Sequence, residues 1–352
     1  MGKKLNIVIF TLVLVSMLVS ACAPAATQAP AAVPTKSAAA TSPTEPAKKW
    51  KMAALFPGVI TDADYNTLGY LGLTEVKATL GVETAYSESV PVPDIDRAMR
   101  EYIDQGFNII WTHGSQFLNQ TVTLAKAMPD VVFIAEADSP VKDPPANFWL
   151  IDRNFQTGYY AIGAIAAKAT KTGKIGYISG QTLPFSYAEI HAMQQAFKDL
   201  NATVDFKYVW AGDFNDPSKG RQLADAMLAD GVDVIVCSLN LGIFGVFEAA
   251  KAKDPDGGHI LITAKYIDKT NFAPKNYITS LLYDFKGPMK EIVGKIMAGT
   301  KGGYYPLGFA TGVAIQTPLK NVSADLNTQI QSIIDDVKSG KTQVVKDTTV
   351  IK

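Results

Sequence analysis

The stretch "VWAGDFNDPSKG", Val209 to Gly220, sets turn-forming Gly, Asp, Asn and Pro around two large aromatic rings, Trp210 and Phe214. Turn chemistry usually excludes rings of this size, so their purpose needs an explanation; a ring at a strand end, as Trp210 is, more often packs into the core. A second cluster, "DADYN", places Tyr65 beside Asp62, Asp64 and Asn66. That carboxylate pair suits the head of a helix, where one side chain caps free N–H groups and the dipole favours negative charge. Covalent and metal chemistry find less support. His113, His191 and His259 are the only histidines and are widely spaced, with no HExxH pair and no CxxC, so no protein-built metal site is expected. There is no GxSxG elbow and no GxxxxGK[ST] loop, and the glycines of "GKIGYISG" lack dinucleotide-binding spacing, so neither an enzyme nor a cofactor is expected. Cys237, inside "VDVIVCS", reads as a buried strand residue.

The elements that must carry these residues are legible as an alternation. "KMAALFPG", "VETAYSE", "FNIIWTHG", "DVVFIAEA", "ANFWLID", "KIGYISG", "VDFKYVW", "VDVIVCS", "HILITA" and "NYITSLL" have the length and apolar character of strands. Between them, Ile95, Ala98, Met99, Tyr102 and Ile103 recur at helical spacing, as do Tyr187, Ile190, Met193, Phe197 and Leu200, and Met289, Ile292, Val293 and Ile296. Strands alternating with helices predict an α/β fold with parallel, covered sheets, whose ligands bind beyond the carboxyl ends of the strands. The loops at those ends, "FPGVITDADYN", "THGSQF", "SGQTLPF", "WAGDFND", "SLNLG", "TAKYID" and "SLLYDF", are rich in aromatic residues. With 352 residues the chain predicts two lobes. Lys plus Arg and Asp plus Glu each number 33, a formal net charge of +0, so no nucleic-acid partner is expected.

Lys3 and Lys4 precede an apolar run from Leu5 to Val19 that ends in "VSAC", the form of an export signal over residues 1–21. The small residues before Cys22 resemble a bacterial lipobox, which implies cleavage, acylation of Cys22 and attachment to the extracytoplasmic face of the cell membrane; an uncleaved anchor is the other reading. Residues 22–49, nearly all Ala, Pro, Thr, Ser and Gln up to Lys48, form an expected disordered stalk. Cys22 and Cys237 are not expected to pair.

Together the lipobox, "NFQTGYYAIGAIAAKATKTGKIGYISG", "GDFNDPSKGRQLADAMLADGVDVIVC" and "YITSLLYDFKGPM" resemble the basic membrane protein family, the purine nucleoside receptor A-like solute-binding lipoproteins of ABC transporters. The resemblance runs from Lys51 onward. It implies a type I periplasmic-binding-protein fold, two Rossmann-like lobes with parallel sheets joined by three crossing segments. The expected division is residues 50–153 plus 284–306 for the first lobe and 154–283 plus 307–352 for the second. It further implies a monomer that takes a purine base or purine nucleoside without a cofactor and presents it to an ABC permease. A sensor ectodomain docking on a signalling protein, and a nucleoside-processing enzyme, are the alternatives.

On this resemblance Phe214 and Tyr65 offer opposing rings to the base, with simple loop packing as the other reading of each. Asp64 lies beside them, and Asn119 stands where the family commonly has an Asp that reads the base edge. Asn66, His113 and Asn240 are expected to read ring edges as well, with a satisfied structural histidine at a strand end as the other reading of His113. Two departures bear on the sugar. Ala264-Lys265-Tyr266 and Tyr283 occupy the places of a ribose-holding Asp and Lys, so Lys265 and Tyr283 border the sugar side and a free base is favoured over a nucleoside.

Overall fold

The computed structural model describes residues 49–351. The signal segment, Cys22 and almost all of the stalk lie outside the described residues. The first strands and helices follow the apolar pattern closely: β1 (Lys51–Leu55), α1 (Tyr65–Leu80), β2 (Glu83–Ser87), α2 (Ile95–Asp104), β3 (Ile109–Thr112), α3 (Leu118–Ala127), β4 (Val132–Ala137) and β5 (Phe148–Arg153). The chain continues through α4 (Phe155–Ala169), β6 (Lys174–Ser179), α5 (Pro184–Asp199), β7 (Asp205–Trp210), α6 (Pro217–Ala229), β8 (Val234–Ser238), α7 (Ile243–Lys253), β9 (Leu261–Tyr266) and β10 (Tyr277–Tyr283). It ends with α8 (Lys286–Met297), β11 (Gly303–Leu307), β12 (Val313–Ile315) and α9 (Ala324–Lys338).

These strands form two six-stranded sheets, ordered β11-β5-β4-β3-β1-β2 and β12-β10-β9-β8-β6-β7. Every pairing is parallel except that of β10 with β12. The chain therefore passes between sheets after β5, after β10 and after β11. The central strands β3, β4, β5, β8 and β9 are buried along their whole length, as sheets covered by helices on both faces require. Each run predicted as a strand is one. The carboxyl ends of the strands from both sheets supply the loops in which the aromatic and amide residues are concentrated.

Candidate ligand site between two sets of strand ends

Local chemistry fixes Phe214 before any ligand is considered. Asp213 Oδ1 accepts from Asn215 N at 2.8 Å, and Asp216 Oδ1 accepts from Ser218 N and Lys219 N at 2.9 and 3.0 Å, capping α6, whose first residue is Pro217. The Phe214 carbonyl accepts from the N–H groups of Asn240 and Gly242, both at 3.0 Å, tying the loop after β7 to the loop after β8. The ring lies over Gly180 at the end of β6, where an added Cβ would stand 2.2 Å from Phe214 Cδ1. Phe185 stacks beside it, with centroids 6.1 Å apart and planes inclined by 25°.

The Tyr65 ring is held as firmly. Asp62, not Asp64, caps α1: its carboxylate accepts from the backbone N–H groups of Asp64, Asn66 and Thr67 at 2.8, 3.1 and 3.0 Å. Tyr65, first residue of α1, stacks on His113 at 3.8 Å and donates its hydroxyl hydrogen to Glu136 Oε2 at 2.5 Å. Burial, then the Glu136 charge, push the phenol well above its ordinary pKa, so Tyr65 is a hydroxyl donor. His113 Nε2 faces the Tyr65 carbonyl at 2.9 Å, and an oxygen of that kind only accepts, so Nε2 carries hydrogen. Nδ1 faces Glu136 Oε1 at 2.6 Å, so a proton lies between imidazole and carboxylate. Burial alone would raise the Glu136 carboxyl; the charge and hydrogen bond of His113, with help from Arg153 and Tyr65, outweigh it and hold the group below its usual value. Arg153, at the end of β5, donates to Asp138 from Nε at 2.8 Å, to Ser115 Oγ from Nη2 at 2.6 Å and to the Tyr65 hydroxyl from Nη1 at 3.3 Å. Its guanidinium carbon also lies 5.0 Å from the Phe185 ring centroid.

These side chains enclose a cavity of about 310 Å³. Tyr65, Asn66 and Arg153 line it from the first sheet, and Phe185, Phe214, Asn240 and Tyr266 from the second. Thus Tyr65, Asn66, Phe214 and Asn240, named from sequence, come together on one wall system. The other named residues do not line it. His113 is fully buried behind Tyr65. Asp64 is buried against Lys269, which follows β9, and this ion pair links the two sets of strand ends. Lys265 is fully buried, donating to Glu189 at 2.6 Å and Ser238 Oγ at 3.0 Å, with the rings of Phe155, Tyr159, Phe185, Tyr266 and Tyr283 within 5.8 Å of its ammonium. Tyr283 is buried edge-on against Phe155 at 4.5 Å. Asn119 is exposed on α3. Arg153 and Phe185 were not singled out from sequence, although "LIDRN" closes an apolar strand with a charged pair, the one available signal for Arg153; Tyr266 was named only within the Ala264-Lys265-Tyr266 triplet.

Among the described residues no cluster of three or more His, Cys, Asp or Glu side chains could hold a metal ion, and no helix is long and apolar enough to cross a membrane. A family model for ABC transporter substrate-binding proteins of the PnrA-like kind matches residues 49–348. The chain belongs to the PnrA-like substrate-binding family. Membership makes it an extracytoplasmic binding protein rather than an enzyme, with a small-molecule ligand and a transporter permease as partners. Basic membrane protein A2 of Borrelia garinii subsp. bavariensis is 29% identical over 239 residues, covering 66% of this chain and 68% of that one. A purine-binding protein of Brucella abortus is 26% identical over 262 residues, covering 74% of this chain and 72% of that one. In fold, a solute-binding protein from Aeropyrum pernix K1 superposes with a TM-score of 0.73 at 18% identity, covering 84% of this chain and 93% of that chain. Another, from Conexibacter woesei, gives 0.64 at 21% identity, covering 84% and 99%. The PnrA-like chain thus has the α/β architecture of two parallel-dominated sheets found in solute-binding structures.

Proposed function

We propose that this PnrA-like protein captures a purine base, or less favourably a purine nucleoside, between the strand ends of its two sheets and delivers it to an ABC importer. A lipid on Cys22 holds it at the outer face of the membrane. The observation that carries the reading is the pair Tyr65 and Phe214, which line one cavity from different sheets, each ring fixed by its own local bonding. Base–aromatic stacking contributes about 1–3 kcal/mol per base and tolerates any base, because each has a π-face. The name of the Brucella relative points to the same ligand class.

Two features favour the free base. The cavity of about 310 Å³ lies at the small end of the range for ligand pockets. Lys265 and Tyr283, which the resemblance assigns to the sugar side, are away from the lining. Ligand contacts made to both sheets at once draw an open–closed equilibrium toward the closed form, which the permease distinguishes from the open one. Thermal-shift and calorimetric titration against adenine, hypoxanthine, guanine, adenosine, inosine, sugars and amino acids test the reading. Saturable binding of purines alone, tightest for bases, is expected; preference for a sugar or an amino acid overturns it.

A further inference from the structure

The buried polar groups of the cavity wall differ in how fully they are used. Tyr65 donates to Glu136 and accepts from Arg153. Asn66 donates through Nδ2 to Asp62 at 2.7 Å and accepts at Oδ1 from Gly58 N at 3.3 Å. Arg153 is committed to Asp138, Ser115 and Tyr65. The buried polar side chains of the first-sheet wall are therefore each engaged within the protein.

The second-sheet wall is not. Asn240 is 6% exposed, and its Oδ1 is buried with no partner. Among the described residues neither Asn240 Nδ2 nor the Tyr266 hydroxyl makes a hydrogen bond. Water can serve the lining amides and carboxylate at the mouth, Gln116, Gln181, Asp213 and Asn215, which are exposed or half-exposed. It cannot freely serve a group as buried as Asn240, and a buried amide oxygen without a partner is costly unless a ligand supplies one. Tyr266 carries a second mark. Its φ of +78° is a conformation that bulky L-residues rarely adopt, and it stands at the end of β9 on the cavity wall, where strain of this kind collects at ligand clamps.

We infer that Asn240 and Tyr266 are the specificity-determining pair of this site, an inference that rests on the purine reading above. The Asn240 amide, an acceptor beside a donor, pairs with a donor beside an acceptor on the edge of a flat base, as carboxamides pair with N6–H and N7 of adenine. The Tyr266 hydroxyl takes a neighbouring polar atom of the same ligand. The first sheet supplies a preset stacking wall that accepts any ring. Ligands are thereby sorted by the N–H groups on their edge, not by ring shape.

Calorimetric titration of the full chain with adenine and with 6,9-dimethylpurine, which keeps the ring and has no N–H, separates reading from stacking. The wild type prefers adenine by at least about tenfold, the scale of one well-made hydrogen bond. Asn240→Leu reduces that ratio to about threefold or less and Tyr266→Phe lowers it part-way, while both hold 6,9-dimethylpurine within about threefold of the wild type. The inference is overturned if the wild type shows no preference, if both variants keep it, or if each variant weakens the two compounds alike. Tyr266→Phe, which removes one oxygen, keeps the test readable should Asn240→Leu not fold. A wild type that binds neither compound nor any other purine overturns the purine reading and this inference with it; purine binding with ratios unchanged in the variants overturns this inference alone.

Discussion

Lys269, in the loop after β9, buries its ammonium against the carboxylate of Asp64 at the head of α1, joining residues 205 positions apart and linking the two sets of strand ends. One carboxylate oxygen of Asp64 has no partner. Burial pushes the Asp64 carboxyl up to about 7 despite the attraction of Lys269. Between its unfolded value of 3.8 and about 7 the native protein holds a proton at this site that the unfolded chain has released. Native stability supplied by this group therefore falls as pH rises through that window and levels off above it. Denaturant titrations of the wild type and Asp64→Asn from pH 4 to 8 check the sign: the stability advantage of the wild type over the variant should shrink with rising pH. An advantage that grows with pH contradicts the assignment.

The place of Phe214 depends on Gly180. Gly180→Ala puts a methyl group where the ring now lies, so the ring must leave. We expect purine affinity to drop by tenfold or more, about the worth of one stacked ring, in both Gly180→Ala and Phe214→Ala. The melting temperature of ligand-free Phe214→Ala should stay close to that of the wild type. A large fall there would identify the ring as core instead.

Lys265 invites the opposite outcome. It neutralises Glu189 in a fully buried pair that also takes a hydrogen bond from Tyr177 at 2.7 Å. Burial lowers the lysine's pKa and Glu189 opposes that shift. Lys265→Met leaves a buried carboxylate uncompensated and should cost about 3–5 kcal/mol of stability. Chemical denaturation measures this, with purine affinity of the folded fraction little changed. Intact stability with lost binding would place Lys265 at the ligand.

Cys22→Ser should move the protein from the membrane to the soluble fraction after cell breakage, as read by fractionation. The substitution removes the thiol on which the proposed acylation depends. Persistence in the membrane fraction would favour the uncleaved-anchor reading.

Much of the fold was legible because parallel strands buried on both faces read as unbroken apolar runs. β11 and β12 were not: "GYYPL" contains Pro306 and alternates exposed with buried positions at a sheet edge, and β12 has only three residues. In the site, the family resemblance pointed to Phe214, Tyr65, Asn66 and Asn240, and all four line the cavity. Arg153 was missed because its residue type is ordinarily exposed, and only tertiary partners supplied by Asp138 and Ser115 make its burial tolerable. Tyr266 was read only as part of the triplet that replaces a ribose-holding Asp, because no residue pattern announces a positive φ in a tyrosine. Asn119 was singled out by analogy of position, whereas the helix that carries it leaves it in solvent.

The return of β11 to the first sheet, after the chain has already built five strands of the second, has a consequence for biogenesis. A ribosome that has finished β5 has made most of one half but not its closing edge, and that edge arrives only some 150 residues later, in register with Trp149 to Arg153. Neither half can be excised as one continuous fragment. Maturation must wait for nearly the entire polypeptide, so a truncation anywhere before Leu307 leaves both halves unfinished.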